Sequence, residues 1–282
     1  MSYTFIYRSD NTFDAYVSQQ GKPPALYSLS MASTPTVDAD ASAIGGYSLN
    51  MYQAGTAAKR WVIWPGRLNF PTGDFSFGCR VLMHTAVGSV GICGLSHPNL
   101  SFYGIAFIYD TNASKGFGIT YYDDYGAVVG TNWVGSQPTM DTWYDLMVTW
   151  KHSERKIAAY LNQTAFVNET DITSYGSWEA IVESKATRDS NKMGKLVAGL
   201  SPSTSYINGA HYLNEIWLAN SVLSPATLGL GTARSAFLTA TAFDGSVNTG
   251  AGAANIRSGQ SETINGTVTN GTLLGSVLQN GS

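Results

Sequence analysis

Charge is what this sequence has least of. Only 12% of its 282 residues are charged, against roughly a quarter in ordinary soluble domains, while 44% are hydrophobic and 12% aromatic. So few charges on so long a chain imply a surface dressed in Ser, Thr, Asn and Gly. A chain of this length, as one large domain or two smaller ones, buries about three-quarters of its unfolded surface, so a substantial core is expected. The 16 Lys+Arg stand against 19 Asp+Glu, a formal net charge of -3 without a basic cluster. There is no electrostatic footprint for phosphates, and nucleic acid is not an expected partner. Cysteine is nearly absent: Cys79 and Cys93 are too few for a disulfide scaffold or an all-cysteine zinc ribbon. Both lie in apolar runs seven residues either side of Ala86, where they could face each other across a hairpin; two buried free thiols is the favoured alternative. Long apolar runs are missing too. The greasiest stretch, Gly91 to Tyr109, is broken by Ser96, His97, Pro98, Asn99 and Ser101, short of the ~18 residues that span a bilayer, so a soluble protein with no membrane partner is expected. The N-terminus carries Arg8, Asp10 and Asp14 and lacks the basic-then-apolar order of a secretion signal.

What is present is short runs of Val, Ile, Tyr, Phe and Trp, separated by Gly, Asn, Asp and Ser. This spacing predicts strands at Ser48 to Tyr52, Arg60 to Trp64, Asp74 to His84, Val90 to Leu95, Tyr103 to Tyr109, Gly116 to Tyr122, Trp143 to Lys151, Lys156 to Asn162, Lys195 to Gly199 and His211 to Leu218. His152 to Arg155 is a polar connection of hairpin length. The one good helical start is Ser224-Pro225-Ala226-Thr227-Leu228, and it soon meets Gly229 and Gly231. Composition changes at about residue 229: the remainder has ten glycines and no lysine, with Asn-Gly-Thr at Asn265 and again at Asn270. A flexible tail and a small β module that orders against a neighbour both account for this. Residues 1–34, with Pro23-Pro24 inside, are expected as an arm.

Three segments of the middle together resemble the concanavalin A-like lectin/glucanase superfamily in its laminin-G-like form. They are Ser42 to Met83; Asp141 to Trp150 followed by Ile157 to Asn162, similar to that family's W-x-x-x-x-x-T-W hairpin and Y-x-N-G strand end; and Gly209 to Ser224. Gln163 stands where the family has Gly, and Asn214 where Asp is common. The resemblance spans roughly residues 35 to 228 and implies an all-β, two-sheet antiparallel jelly-roll sandwich, with a small C-terminal β or irregular segment at 229–282. Such a fold hosts lectins, hydrolases and structural domains alike. In the tail, Gly252-Ala253-Ala254-Asn255-Ile256-Arg257-Ser258-Gly259, followed by Gly266-Thr267 and Gly271-Thr272-Leu273, resembles the A-N-V-R-x-G…G-T-L stretch of tailed-bacteriophage structural proteins.

The glucanase branch uses E-x-D-x-E on one strand, and this chain lacks it: Ile181 occupies the middle of Glu179 to Glu183. There is no G-x-S-x-G elbow, H-E-x-x-H or P-loop, and the histidines at 84, 97, 152 and 211 show no metal-ligand spacing. Oxygen-rich turns at Asp123-Asp124 and at Asp110 with Asn112 would suit calcium. A solvated turn explains each equally well, so no cofactor and no metal ligand is assigned. For a sugar, which needs an aromatic face and a few polar groups, the candidates are Tyr122, Asp123, Tyr125 and Trp133; an edge hairpin of ordinary half-buried tyrosines is the bland alternative. Of the adjacent Tyr121 and Tyr122, only one can face the core. Trp143 and Trp150, an odd number of residues apart, fall on opposite strand faces, both within the body.

These features point to a non-enzymatic bacteriophage virion protein: a capsid decoration protein, head fibre or tail component, made in the host cytoplasm. Its partners would be other virion proteins, further copies of itself and host surface glycans. Attachment or oligomerisation is expected through Asn255, Ile256, Arg257, Ile264, Val268 and Leu273. A free-standing carbohydrate-binding lectin-like module is the rival expectation.

Overall fold

The computed structural model describes residues 3–9, 15–17, 25–28, 35–52, 60–64, 73–86, 88–96, 102–122, 128–171, 195–198, 211–231, 234–236 and 238. Their strands are, in chain order, β1 (Tyr3–Arg8), β2 (Ala15–Val17), β3 (Ala25–Ser28), β4 (Thr36–Ala39), β5 (Tyr47–Asn50), β6 (Arg60–Trp64), β7 (Phe75–Met83) and β8 (Ser89–Ser96). There follow β9 (Phe102–Asp110), β10 (Gly116–Tyr122), β11 (Val128–Trp133), β12 (Trp143–Lys151), β13 (Lys156–Leu161), β14 (Thr164–Asp171), β15 (Lys195–Ala198) and β16 (His211–Ala219). Two antiparallel sheets result. The first runs β14-β13-β12-β7-β16-β1-β2, with β5 also on β16 and β4 on β5; the second runs β11-β10-β9-β8-β15-β6-β3. This is the all-β class the spacing predicts and the two-sheet antiparallel sandwich the resemblance implies. All ten predicted strands are present to within a residue or two at their ends, while β1, β2, β3, β4, β11 and β14 are additions.

Alternation sends Phe75, Phe77, Cys79, Val81 and Met83 of β7, with Leu146, Val148 and Trp150 of β12, into the space between the sheets. From the other side come Val90, Ile92, Ile105, Phe107, Tyr109, Phe117, Ile119 and Tyr121. Phe77 stacks on Phe107 across the interface, with ring centroids 5.2 Å apart. Trp150 lies in this core and Trp143 on the opposite face of the same strand, against Ala43 and Leu82. Cys79 and Cys93 are both buried free thiols. They do not face each other across a hairpin: β7 and β8 belong to different sheets, so the thiols approach across the core. Burial, and next the neighbouring Cys93, push the Cys79 thiol well up.

The residues expected as an N-terminal arm supply β1 and β2 to the first sheet and β3 to the second, and Tyr7 is fully buried. Strand β16 holds two partners along one edge: its 211–213 half pairs with β5 and its 215–219 half with β1. The register shifts between Leu213 and Glu215, and Asn214 fills the junction. Its Nδ2 donates to the carbonyls of Ile44 and Tyr47 (both 2.9 Å) and lies 2.7 Å from Ser9 Oγ, while its Oδ1 accepts from Ile44 N at 3.2 Å. Aspartate, the family's usual residue here, has no N–H to donate and would face two carbonyls with a buried charge. The substitution is thus a fitted part of the junction.

The outer face of the first sheet is covered by the chain after β16. Ser224 to Leu228 makes a single turn (Leu228 N to Ser224 O, 3.1 Å) that stops at Gly229, φ 62°. Leu223, Leu228, Leu230 and Leu238 then pack on Met147 and Trp217. Gly78 is required beneath them: a Cβ there would collide with the Trp217 ring and lie 2.8 Å from the Leu146 carbonyl oxygen. Beside this apolar patch, Asp145, Arg80 and Glu215 stand directly across from one another on β12, β7 and β16. Arg80 reaches Asp145 Oδ2 at 3.1 Å; Arg234 bridges Asp145 Oδ1 (2.8 Å) and Glu215 Oε2 (2.6 Å). Backbone N–H groups of Gly231 and Leu238 donate to Asp145 and Glu215, both at 2.8 Å. Burial works against the charge on Arg234, but Glu215 and Asp145 outweigh it and raise its pKa. Gln163, placed where the resembling family has Gly, donates to Leu230 O at 2.9 Å. The turn before it is tight all the same, because Asn162 takes the left-handed φ of 56°.

Candidate functional site

At one end of the first sheet, the tips of β5, β7, β12 and β16 bring together an aromatic and acidic rim. Register sets Asn50, Tyr212 and Leu82 side by side, so Tyr212 leaves the sheet on its outer face, beside Trp143. Tyr52 follows β5, its N–H held by Asn50 Oδ1 at 2.8 Å, and its ring lies 6.3 Å from that of Tyr212 at 26°. His84, one residue past β7, sets its ring edge-on to both, at 4.8 Å from Tyr52 and 5.9 Å from Tyr212. Asp141 precedes β12 in the left-handed conformation (φ 55°), fixed by its N–H on Met83 O at 2.8 Å. Its carboxylate meets His84 Nδ1 at 2.6 Å. Below, Asp38 accepts from Asn50 (2.6 Å), Asp40 from Ser42 (2.6 Å), and Ser42 from the Trp143 indole N–H (3.1 Å). The His84 and Asp141 side chains are 40% and 62% exposed. Burial first, then Asp38, Tyr52, Asp40 and Asp141, raise the pKa of Tyr212. The rim is therefore an aromatic surface in a negative field, edged with hydrogen-bonding groups at solvent. No single stretch of sequence marks the rim, because its residues are scattered from 38 to 212; the one local trace is a polar or aromatic residue at each strand tip.

The predicted sugar-binding residues fall elsewhere. Asp123 and Tyr125 lie outside the described residues, and of Tyr122 only the backbone is described, paired with Val128. Trp133 pairs with Gly118, four positions down β10, so the hairpin separates it from Tyr122 by about 13 Å of strand rise. Lys115 Nζ sits 5.0 Å over the Trp133 ring. Tyr121 is the core member of the tyrosine pair. Asn255, Ile256, Arg257, Ile264, Val268 and Leu273 also lie outside the described residues, as do Glu179 and Glu183.

Of the oxygen-rich turns, Asp123-Asp124 is not described, and the Asp110 carboxylate is occupied by Ser89 Oγ (2.7 Å), Lys115 Nζ (3.2 Å) and Asn112 N (2.8 Å). These donors outweigh burial and lower its pKa. Among the described residues no three of His, Cys, Asp and Glu are grouped to hold a metal ion, and no helix is long and apolar enough to cross a membrane.

No family model and no curated protein matches the sequence. Solved structures do match the fold. The binding domain of botulinum neurotoxin serotype D/C, strain VPI 5993, is similar with a TM-score of 0.52 at 10% identity over 81% of this chain and 51% of that one. The serotype D binding domain gives 0.50 at 9% identity, over 81% and 50%. A Trypanosoma rangeli sialidase in complex with sialic acid gives 0.45 at 13% identity over 73% and 31%, a likeness too loose to speak to chemistry. The chain spans about half the length of the neurotoxin domains. At such identities the likeness establishes a β-sandwich fold and does not decide whether the chain is an enzyme.

Proposed function

We propose that this chain is a non-enzymatic structural and binding protein of a bacteriophage virion, a capsid decoration protein, head fibre or tail component. In this proposal its sandwich body contacts host glycans and its C-terminal residues attach it to the particle. The observation that carries the binding role is the rim of Tyr52, Tyr212, His84 and Asp141, which brings half-buried aromatic rings together with solvent-exposed polar groups. A second glycan contact at Tyr122, Asp123, Tyr125 and Trp133 belongs to the same proposal. Supporting the non-enzymatic role, the buried Asp145 and Glu215 are both engaged by Arg234, which leaves neither to act as an acid or base.

The virion setting rests on the tail segment Asn255-Ile256-Arg257 and its Gly-Thr repeats. Residues 35–228 are proposed as the jelly roll, joined by the strands from residues 1–34, and 229–282 as the attachment segment, with Ile264, Val268 and Leu273 burying themselves against sister subunits or a capsid or tail surface. Mass spectrometry of purified particles should find the protein. Deleting residues 251–282 should leave the melting temperature nearly unchanged and abolish oligomerisation or incorporation; a truncated protein that still fills particles would refute attachment by the tail. A free-standing lectin-like module is the second possibility, favoured by a rim that stands on the body alone. A glycan array on the full chain that gives no signal would remove the glycan role from both.

A further inference from the structure

We infer that the rim selects saccharides carrying a free ammonium group over neutral and anionic ones. This deepens the glycan contact proposed above and rests on it.

Asp38, Asp40 and Asp141 surround Tyr212, and among the described residues none pairs with lysine or arginine. Their partners are the Asn50 amide, the Ser42 hydroxyl and the His84 ring. The first two are neutral, so they orient their carboxylates without cancelling the charge. The same field shows in Tyr212, which resists ionising because of burial and then of Asp38, Tyr52, Asp40 and Asp141. Burial opposes a charge of either sign, whereas the three carboxylates oppose a negative charge and favour a positive one, most of all at the exposed edge held by Asp141. An ammonium group within about 6 Å of a tyrosine face is attracted by the ring's quadrupole, and a carboxylate rim can accept its N–H groups as charge-assisted hydrogen bonds. Tyr52 and Tyr212 supply the faces, and Asp141, 62% exposed, supplies the accepting edge. N-acetylation of the same sugar would keep the stacking surface and remove the charge. A sialic acid would bring a carboxylate into a field of its own sign.

The test uses the full chain, titrated at pH 6 by calorimetry or NMR with a trimer of glucosamine, its N-acetylated counterpart and sialyllactose. The free-amine trimer should bind roughly tenfold more tightly than the acetylated one, with sialyllactose weakest and the preference shrinking as salt rises. Asp141→Asn should erase most of the preference and leave affinity for the acetylated trimer intact, since Asn tolerates the left-handed φ of 55°. Asp38→Asn is the second variant should the first not fold. Tyr52→Ala should weaken both trimers. Equal affinity for the two trimers, each weakened by Tyr52→Ala, would overturn the charge selection and leave the glycan contact standing. Binding of none of the three sugars would sink both, and a preference untouched by Asp141→Asn or Asp38→Asn would overturn the assignment to this rim.

Discussion

The two faces of the first sheet are covered by different means. Inward, Phe77, Val81, Leu146, Val148, Trp150, Ile216 and Leu218 meet the second sheet in an apolar layer. Outward, the same strands present Arg80, Asp145 and Glu215, and these are buried by a strand-free segment that brings Arg234 as the fourth charge. One face is held by area and shape, which tolerate substitution of one hydrophobe for another. The other sets beside an apolar patch on Met147 and Trp217 a group of matching charges, of which none can be removed singly without stranding its partner. The charged face is hence the more specific of the two, and it is the face through which the C-terminal chain is fastened to the body.

The comparison breaks most visibly at Trp150. Trp150→Ala should cost about 3–5 kcal/mol in chemical denaturation, and Trp143→Ala distinctly less, because its pocket against Ala43 and Leu82 lies beside the solvent-facing rim. Equal losses would mean that the two faces are packed alike. On the charged side, Arg234→Met should cost about 3 kcal/mol by leaving Glu215 and Asp145 buried and under-neutralised. Replacing Arg80, Asp145, Glu215 and Arg234 together by Met and Leu should cost little. Should the fourfold variant be as unstable as the single one, the network contributes net stability and not only specificity.

His211 is the polar exception on the inner face, fully buried opposite Met83, with burial pushing its pKa down from 6.5 to about 3. The fold favours the neutral ring, so this contribution is fully present above pH 6.5 and is lost as pH falls toward 3. Between pH 6.5 and 5 the loss should reach about 2 kcal/mol, and His211→Leu should flatten the profile over that interval. An unchanged slope in the variant would assign the acid sensitivity to other groups. The smallest effect concerns the fastening of the outer segment: Gln163→Ala, which removes the bond to Leu230 O, should cost roughly 1 kcal/mol. It should also speed proteolysis near residue 230. A rate equal to the parent's would show that the charges alone hold the segment.

Much of this fold was legible because an inner strand writes its own pattern. In Phe75 to Met83 and Trp143 to Lys151 each apolar residue facing the second sheet is separated by one that does not, and that alternation needs no knowledge of the partner strand. The same rule placed Trp143 and Trp150 on opposite faces and allowed only one of Tyr121 and Tyr122 into the core. It did not place β1 and β3, which looked like an arm: β3 is four residues long and directly follows Pro23-Pro24, and β1 precedes it in the same stretch. Their strand character comes from neighbours more than a hundred residues away in one case, as Ile6 pairs with Trp217, and from β6 in the other. Nor does local pattern set how far Trp133 lies from Tyr122, because hairpin register decides that distance.

What the amino-acid sequence determined by itself, then, is the all-β class, the inner faces of the long strands and the low, nearly balanced charge, since periodicity and composition are local properties that act before any tertiary contact forms. Tertiary structure alone decided the meaning of the isolated polar residues. Asn214 becomes a junction hub only when Ser9, Ile44 and Tyr47 arrive around it. Arg80, Asp145 and Glu215 become a buried network only when three strands align and Arg234 closes over them. Tyr52, His84, Asp141 and Tyr212 become a rim only because four strands end at the same level. Charges and hydrogen-bonding groups act over a few ångströms, so their roles depend on neighbours that the order of residues along the chain does not bring together.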